Sequence, residues 1–218
     1  MRLIVRVYLG RRLFKVSGRE RVPLTGGLIV CANHASTVDV ALVPAYLPRV
    51  DSWSMSKSEN FDHPLTAPLY RGYNAFPVVR HSADRAAIRR SLEILDGEAL
   101  IIYPEGYRVP EGGLQAAEPG VGFLARTSGA VVQPVALVGT RECFPPRAHW
   151  PRRVLVEIRF APPLRIRQHR PDGSRVTNQE AADTVMLAIA EQLPAEMRGL
   201  YADLDGLRKR LEGVAERV

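Results

Sequence analysis

Short, almost wholly apolar runs recur along this chain at Leu28–Ala32, Ala99–Tyr103 and Val131–Val138. Runs of five to eight apolar residues are too short for buried helices and read as buried strands. The intervening segments carry helical signals. One helix runs through Val40 to Tyr46. Another is capped by Ser82, with Asp84 in its first turn, Ile88, Leu92 and Leu95 on one face and Gly97 as its stop. Further strands are expected at Trp53–Met55 and at Phe76–Val79, where Pro77 marks an edge or irregular ladder. Val154, Val156, Ile158 and Phe160 alternate with Leu155, Glu157 and Arg159, the pattern of a half-exposed strand. Thr177 and Glu180 form a capping box for a helix reaching Leu193. Beyond Pro194 a last helix is expected, with Met197, Leu200, Tyr201, Leu204, Leu207, Leu211 and Val214 on one side. Alternating strands and helices predict a single α/β domain, a mixed sheet flanked by helices.

Composition excludes several classes. With 46% apolar and 24% charged residues in 218, the chain is neither disordered nor a coiled coil. Cys31 and Cys143 are too few for a disulfide framework or a zinc site, so no metal is expected and a reducing compartment is favoured. No apolar run reaches 18 residues, and arginines interrupt the N-terminal stretch, so neither a spanning helix nor a secretory signal is expected.

The net charge of +7 is concentrated: residues 1–21 hold seven basic side chains against Glu20, and the rest of the chain is nearly balanced. Residues 1–16 mix these cations with Leu3, Ile4, Val7 and Phe14. Such a segment suits an anionic membrane interface, where cation stems snorkel, or a terminal helix or strand docked on the core. Residues 17–218 form the remaining domain, with the C-terminal helices over 177–218. A second basic block, Arg141 to Arg170, has eight arginines against two acids. The basic residues lack aromatic interleaving and no nucleic-acid motif is present, so no nucleic-acid partner is expected.

The chemistry concentrates in two places. Asn33-His34-Ala35-Ser36-Thr37-Val38-Asp39 joins a buried strand to a helix. Five residues along a regular helix would separate His34 from Asp39 by about 140°. With Ser36 as N-cap, however, His34 lies before the helix and can fold back onto Asp39, which would fix its tautomer. The other reading is a Ser36/Asp39 capping pair with His34 as a loop residue. No Gly-x-Ser-x-Gly elbow is present, and Cys31 lies inside an apolar strand where a thiol is inert. A substrate hydroxyl is then the simplest nucleophile, with His34 taking its proton. The second place is Tyr103-Pro104-Glu105-Gly106-Tyr107-Arg108, at a strand end where α/β sheets collect ligands. Arg108 offers a fork for phosphate, Gly106 allows close backbone approach, and Glu105 is placed to orient the arginine. Gly72 to Arg80 and Gln133-Pro134-Val135 complete the set, with Pro134 pointing to an edge strand.

Together these blocks resemble the glycerolipid acyltransferases, in particular the bacterial 1-acyl-glycerol-3-phosphate acyltransferases. That family reads Asn-His-x4-Asp, a Gly-to-Arg segment, Phe-Pro-Glu-Gly-Thr-Arg-Ser and Val-Pro-Val, in this order, over about residues 12–140 here. The resemblance implies His34 as base and Asp39 as its partner. It implies Arg80, Glu105, Gly106 and Arg108 as binders of the acceptor's phosphate. Tyr107, Asn33, Ser36 and Lys57 are counted with them as substrate contacts. Tyr107 replaces the family's threonine, Val109 its serine, Gln133 an apolar residue and Glu118 a cation. The implied reaction moves a fatty acyl group from acyl-CoA or acyl carrier protein to the free hydroxyl of a lysophospholipid, most naturally lysophosphatidate. It needs no metal or redox cofactor and takes place at the cytoplasmic face of the cell membrane. A non-catalytic lipid-binding protein, a thioesterase and a glycerol-3-phosphate or other lysolipid acyltransferase are the alternatives.

Overall fold

The computed structural model describes residues 13–62, 64, 67–79, 84–109, 113–148 and 150–218. The three apolar runs lie side by side at the centre of one sheet as β2 (Leu28–Ala32), β5 (Ala99–Ile102) and β6 (Val131–Val138). Both β5 and β6 pair with β2 in parallel, in register at Leu28↔Ala99 and Leu28↔Val131. Beyond β5 come β3 (Ser52–Lys57) and the edge strand β4 (Ala75–Val78), both parallel. Beyond β6 lies antiparallel β7 (Val156–Phe160), and β1 (Phe14–Ser17) closes that edge in parallel with β7. Two short strands, β8 (Leu164–Ile166) and β9 (Ala215–Arg217), add antiparallel to β6 and to each other. The sheet is therefore mixed, with a five-stranded parallel body.

A parallel sheet with cover on both faces has no polar side, which is why β2 and β5 are apolar throughout rather than alternating. Ile29, Cys31, Leu100, Ile102 and Val132 face one layer. That layer is built mainly from α4 (Pro119–Ser128) and α6 (Asn178–Ala190), with α3 (Arg85–Ile94) beside them. Leu28, Val30, Ala99, Ile101 and Val135 face the other, against Leu42 and Val43 of α1 (Asp39–Tyr46). Each fully buried Leu, Ile or Val of these layers contributes about 1.5–3 kcal/mol relative to exposure. The remaining helices are short: α2 (Ala67–Gly72), α5 (Thr140–Cys143) and α7 (Leu204–Arg210). No helix among the described residues is long and apolar enough to cross a membrane.

Several expectations are corrected. Residues 1–12 of the proposed interfacial segment lie outside the described residues. Its last four, Leu13 to Val16, belong to, or flank, a docked strand, with Phe14 stacked on Tyr46 at 5.7 Å. The cap of α3 is Asp84, whose carboxylate accepts the Ala87 N–H, not Ser82, which lies outside the described residues. The C-terminal stretch is not one helix. Gly199 and Gly213 adopt left-handed backbone, and the Asp203 carboxylate starts α7 afresh by accepting the Gly206 N–H. The stripe instead follows two 3-10 turns and α7, with Tyr201, Leu207, Leu211 and Val214 in the core and Leu200 exposed. Pro77 does stand in the edge strand β4. Helix α4 is an addition to the expected elements: Pro119 opens it and Gly129 ends it, the usual asymmetry of helix ends.

Pro134 is the informative failure, because it sits in β6, an interior strand. The antiparallel register of β6 and β7 continues to a Pro134–Ala161 pair, in which the Ala161 N–H donates to the Pro134 carbonyl at 2.9 Å. The return bond needs an N–H that proline lacks. Gln133 supplies it, its buried Nε2 donating to the Ala161 carbonyl at 2.7 Å. A side chain thus replaces the missing rung, and the proline is tolerated in mid-sheet. Gln133→Leu is expected to cost about 1–2 kcal/mol in a urea unfolding midpoint. Adding Pro134→Ala, which restores a backbone N–H at that rung, should recover part of the loss; no recovery would disprove the substitution of roles.

Candidate active site

Because β2, β5 and β6 run parallel, the loops leaving their C-terminal ends gather at one edge of the sheet. Asn33, the first residue beyond β2, is buried and bonds β6 twice. Its Nδ2 donates to the Leu137 carbonyl at 3.0 Å and its Oδ1 accepts the Leu137 N–H at 2.8 Å. The next residue, His34, therefore leaves a fixed platform.

Helix α1 begins at Asp39 with Val38 as N-cap, so Ser36 is not the cap. Asp39, fully buried, folds back over the loop instead. Its Oδ2 accepts the N–H groups of Ala35 at 2.9 Å and Ser36 at 2.7 Å. The same oxygen meets His34 Nδ1 at 2.9 Å. The two readings of this stretch, loop capping and histidine bracing, are thus one arrangement. A carboxylate only accepts, so Nδ1 carries the hydrogen and Nε2 is the nitrogen with a lone pair for a substrate.

The backbone of His34 is clamped from the β5 loop. Its N–H donates to Glu105 Oε2 at 3.0 Å, and its carbonyl accepts the Val109 N–H at 2.8 Å. The other Glu105 oxygen accepts the Gln115 N–H at 3.0 Å. Glu105 is buried, and that burial raises its pKa from the ordinary carboxylate value while the two N–H bonds oppose the shift. The Tyr103 ring stacks on the imidazole with centroids 4.3 Å apart. Burial, and then the Asp39 charge, hold its phenol well above the usual range, so Tyr103 stays neutral beside the pair.

These contacts revise several expected roles. Glu105 does not orient Arg108: both its oxygens hold backbone, and it positions His34. Asn33 and Ser36 likewise hold the scaffold, Ser36 through its Oγ donating to the Phe144 carbonyl at 2.9 Å. Arg108 is exposed and donates to the Thr37 hydroxyl, three residues beyond His34. Gly106 has φ 72°, and a Cβ there would stand 3.1 Å from Glu118 Cγ, so the turn brings the α4 cap close. Tyr107 is 38% exposed, and Lys57 is exposed at the end of β3. Arg80 lies outside the described residues. Cys31 is fully buried, and desolvation pushes its thiol far up, in keeping with an inert cysteine.

A cleft of about 290 Å³ opens at His34. Asn33 and Glu105 contribute to its wall, whereas Ser36, Gly106, Tyr107, Arg108 and Lys57 lie outside it. The opposite wall is α5, with Thr140, Arg141 and Glu142, and the C-terminal turn with Glu196 and Met197. Arg141 was not expected as a site residue. Its guanidinium donates to the Val109 carbonyl at 3.1 Å, in the residue that also clamps His34. The signal that would have found it is its place just past the end of a central strand, the same logic applied to Tyr103–Arg108. Thr140 Oγ1 is buried in this wall without a hydrogen-bond partner among the described residues. No group of three or more His, Cys, Asp or Glu side chains placed to hold a metal ion occurs among the described residues.

The arrangement is a braced imidazole on a loop, facing a cleft that Arg141 lines, with Arg108 exposed on the loop outside it. Comparison with known proteins adds to it. The family described as Acyltransferase matches residues 13–138. The chain is 26% identical over 197 residues to the 1-acyl-sn-glycerol-3-phosphate acyltransferase of Bacillus subtilis, covering 88% of this chain and 90% of that protein. It is 25% identical over 154 residues to the enzyme of the same name from Limnanthes douglasii, covering 69% of this chain and 54% of that one. In fold it is similar to the crystal structure of the 1-acyl-sn-glycerophosphate (LPA) acyltransferase from Thermotoga maritima. The TM-score is 0.66 at 22% identity, over 89% of this chain and 72% of that one.

Proposed function

The chain belongs to the acyltransferase family, and from that premise we propose that it acylates the free hydroxyl of 1-acyl-sn-glycerol 3-phosphate from a thioester donor. The observation that carries this reading is the 2.9 Å contact of His34 Nδ1 with a buried Asp39 at the wall of a cleft. His34 Nε2 takes the hydroxyl proton as the oxygen attacks the thioester carbonyl. The tetrahedral adduct collapses to an ester, the C–S bond breaks, and the departing thiolate takes the proton from His34. No acyl-enzyme is formed. Proton transfer by a positioned base typically contributes 10²- to 10⁴-fold. Holding the hydroxyl against it adds the advantage of proximity.

Arg108 and Arg141 flank the His34 loop and are the described cations proposed to hold the acceptor's phosphate, with Arg80 as a further anchor. Each would act as a planar fork on phosphate oxygens. The donor is acyl-CoA or acyl carrier protein, and no metal or redox group takes part. The basic N-terminus is proposed to keep the chain at the cytoplasmic face of the cell membrane.

The test is an acceptor panel with the purified full chain and labelled acyl thioester: lysophosphatidate, glycerol 3-phosphate, lysophosphatidylcholine and an uncharged monoacylglycerol. Lysophosphatidate is expected to be acylated fastest. Arg141→Ala and Arg108→Ala should each lower kcat/KM for it about 10- to 100-fold, chiefly through KM, as loss of a charge-assisted bond would. Equal use of monoacylglycerol, or release of free fatty acid whatever the acceptor, would overturn the assignment.

A further inference from the structure

The described residues of the segment between α5 and β7, residues 144–148 and 150–155, make an exposed apolar and basic stretch outside the cleft. Trp150 is 72% exposed and Leu155 52% exposed. Arg147, Arg152 and Arg153 are exposed beside them, and the segment contains no acidic residue. None of the three arginines takes part in an ion pair among the described residues. Elsewhere on the surface Arg208 leans on Glu191 and Asp205, and Arg210 on Asp183. A folded domain that leaves an indole in water between unpaired cations has built a surface for something else.

One end of the segment is fastened to the His34 loop and the other to the cleft wall. At its start, the Phe144 carbonyl accepts the hydroxyl of Ser36, from the loop that Asp39 braces. At its end, the Leu155 carbonyl lies against Gly139 in the cleft wall, where a Cβ would come within 2.2 Å. Between them the Arg152 N–H donates to the Cys143 carbonyl at 2.6 Å, closing the segment back on α5. Three prolines, Pro145, Pro146 and Pro151, stiffen it. The patch therefore adjoins the His34 loop through Phe144 and the cleft wall through Leu155.

We propose that residues 144–155 form a docking surface for an anionic lipid bilayer, with Trp150 and Leu155 entering the headgroup layer and Arg147, Arg152 and Arg153 on its phosphates. Indole is suited to that layer because one end is apolar and the other carries a donor. Arginine near an anionic surface gains roughly five-fold in partitioning. An aqueous anion would account for the cations and leave the exposed Trp150 and Leu155 unexplained. A bilayer accounts for both. The inference deepens the function proposed above, because it sets the mouth of the His34 cleft where an acceptor embedded in lipid would be met.

The experiment uses the full chain carrying Trp53→Phe, which leaves Trp150 as the only indole. On vesicles of phosphatidylglycerol and phosphatidylcholine, the emission is expected to shift to the blue and to be quenched by brominated lipid. Arg147→Gln/Arg152→Gln/Arg153→Gln should lower partitioning to these vesicles at least ten-fold at low salt, the difference shrinking as salt rises. Trp150→Ala should lower it several-fold. Both variants should keep the wild-type rate on a water-soluble, short-chain acceptor and donor. Unchanged emission together with unchanged partitioning of the triple variant would overturn the proposal, as would tighter binding to duplex DNA than to vesicles. Absence of acyl transfer by the wild type would count against the function proposed above and leave the vesicle result standing.

Discussion

His34→Ala is expected to lower kcat for acyl transfer by 10²- to 10⁴-fold, with the KM for the acceptor little changed. The ring is the only described side chain in the cleft that combines a basic nitrogen with a fixed tautomer. Its Nδ1 is held by Asp39 at 2.9 Å, its face by Tyr103 at 4.3 Å and its backbone by Glu105 and Val109. Removing it takes away the acceptor of the hydroxyl proton and leaves the cations that hold the phosphate. The loop itself should survive, since its anchors are main-chain bonds that alanine keeps. A thermal midpoint near the wild type, beside a collapsed single-turnover rate, is the expected pair of results. Product formed at the wild-type rate would remove His34 from the chemistry.

Asp39→Asn should come next in size, lowering kcat by about 10²-fold or more. The amide oxygen can still accept from Ala35, Ser36 and the imidazole, so the loop and the tautomer are kept. What is lost is the negative charge that stabilises the imidazolium formed as the proton arrives. The amide NH2 would also take the place of Oδ1, a buried atom with no partner among the described residues, and find none for itself. Asp39→Ala differs in kind. It strips the acceptor from two backbone N–H groups and is expected to cost about 1–3 kcal/mol of stability as well as rate. The contrast separates bracing from capping: a drop in kcat with an unchanged melting temperature for Asn, and loss of both for Ala. Equal activity of Asp39→Asn and wild type would leave Asp39 only its capping role.

Much of this was legible in the chain. The uninterrupted apolar strands told of a sheet covered on both faces, and Thr177 with Glu180 marked the start of α6 by a capping box that the structure contains. His34 and Asp39 were legible as a pair because both lie within one loop and the first turn of one helix. Local chemistry of that kind is written in adjacent residues. The C-terminal stretch misled for the opposite reason. Its apolar residues at helical spacing fit one helix, but left-handed glycines at 199 and 213 and the Asp203 cap break the pattern into pieces.

What the residues alone determined, then, is the central strands, the helices flanked by clear caps and the imidazole–carboxylate pair, each set by groups a few positions apart. Only the assembled sheet decided that Glu105 holds His34 rather than Arg108, that Gln133 completes a rung for Pro134, and that Arg141 shares the cleft. Each of these depends on strand register, which brings together atoms from 28 to 107 positions apart. A backbone N–H or carbonyl looks the same in every residue of a sequence, so which of them a side chain will meet is fixed by packing alone.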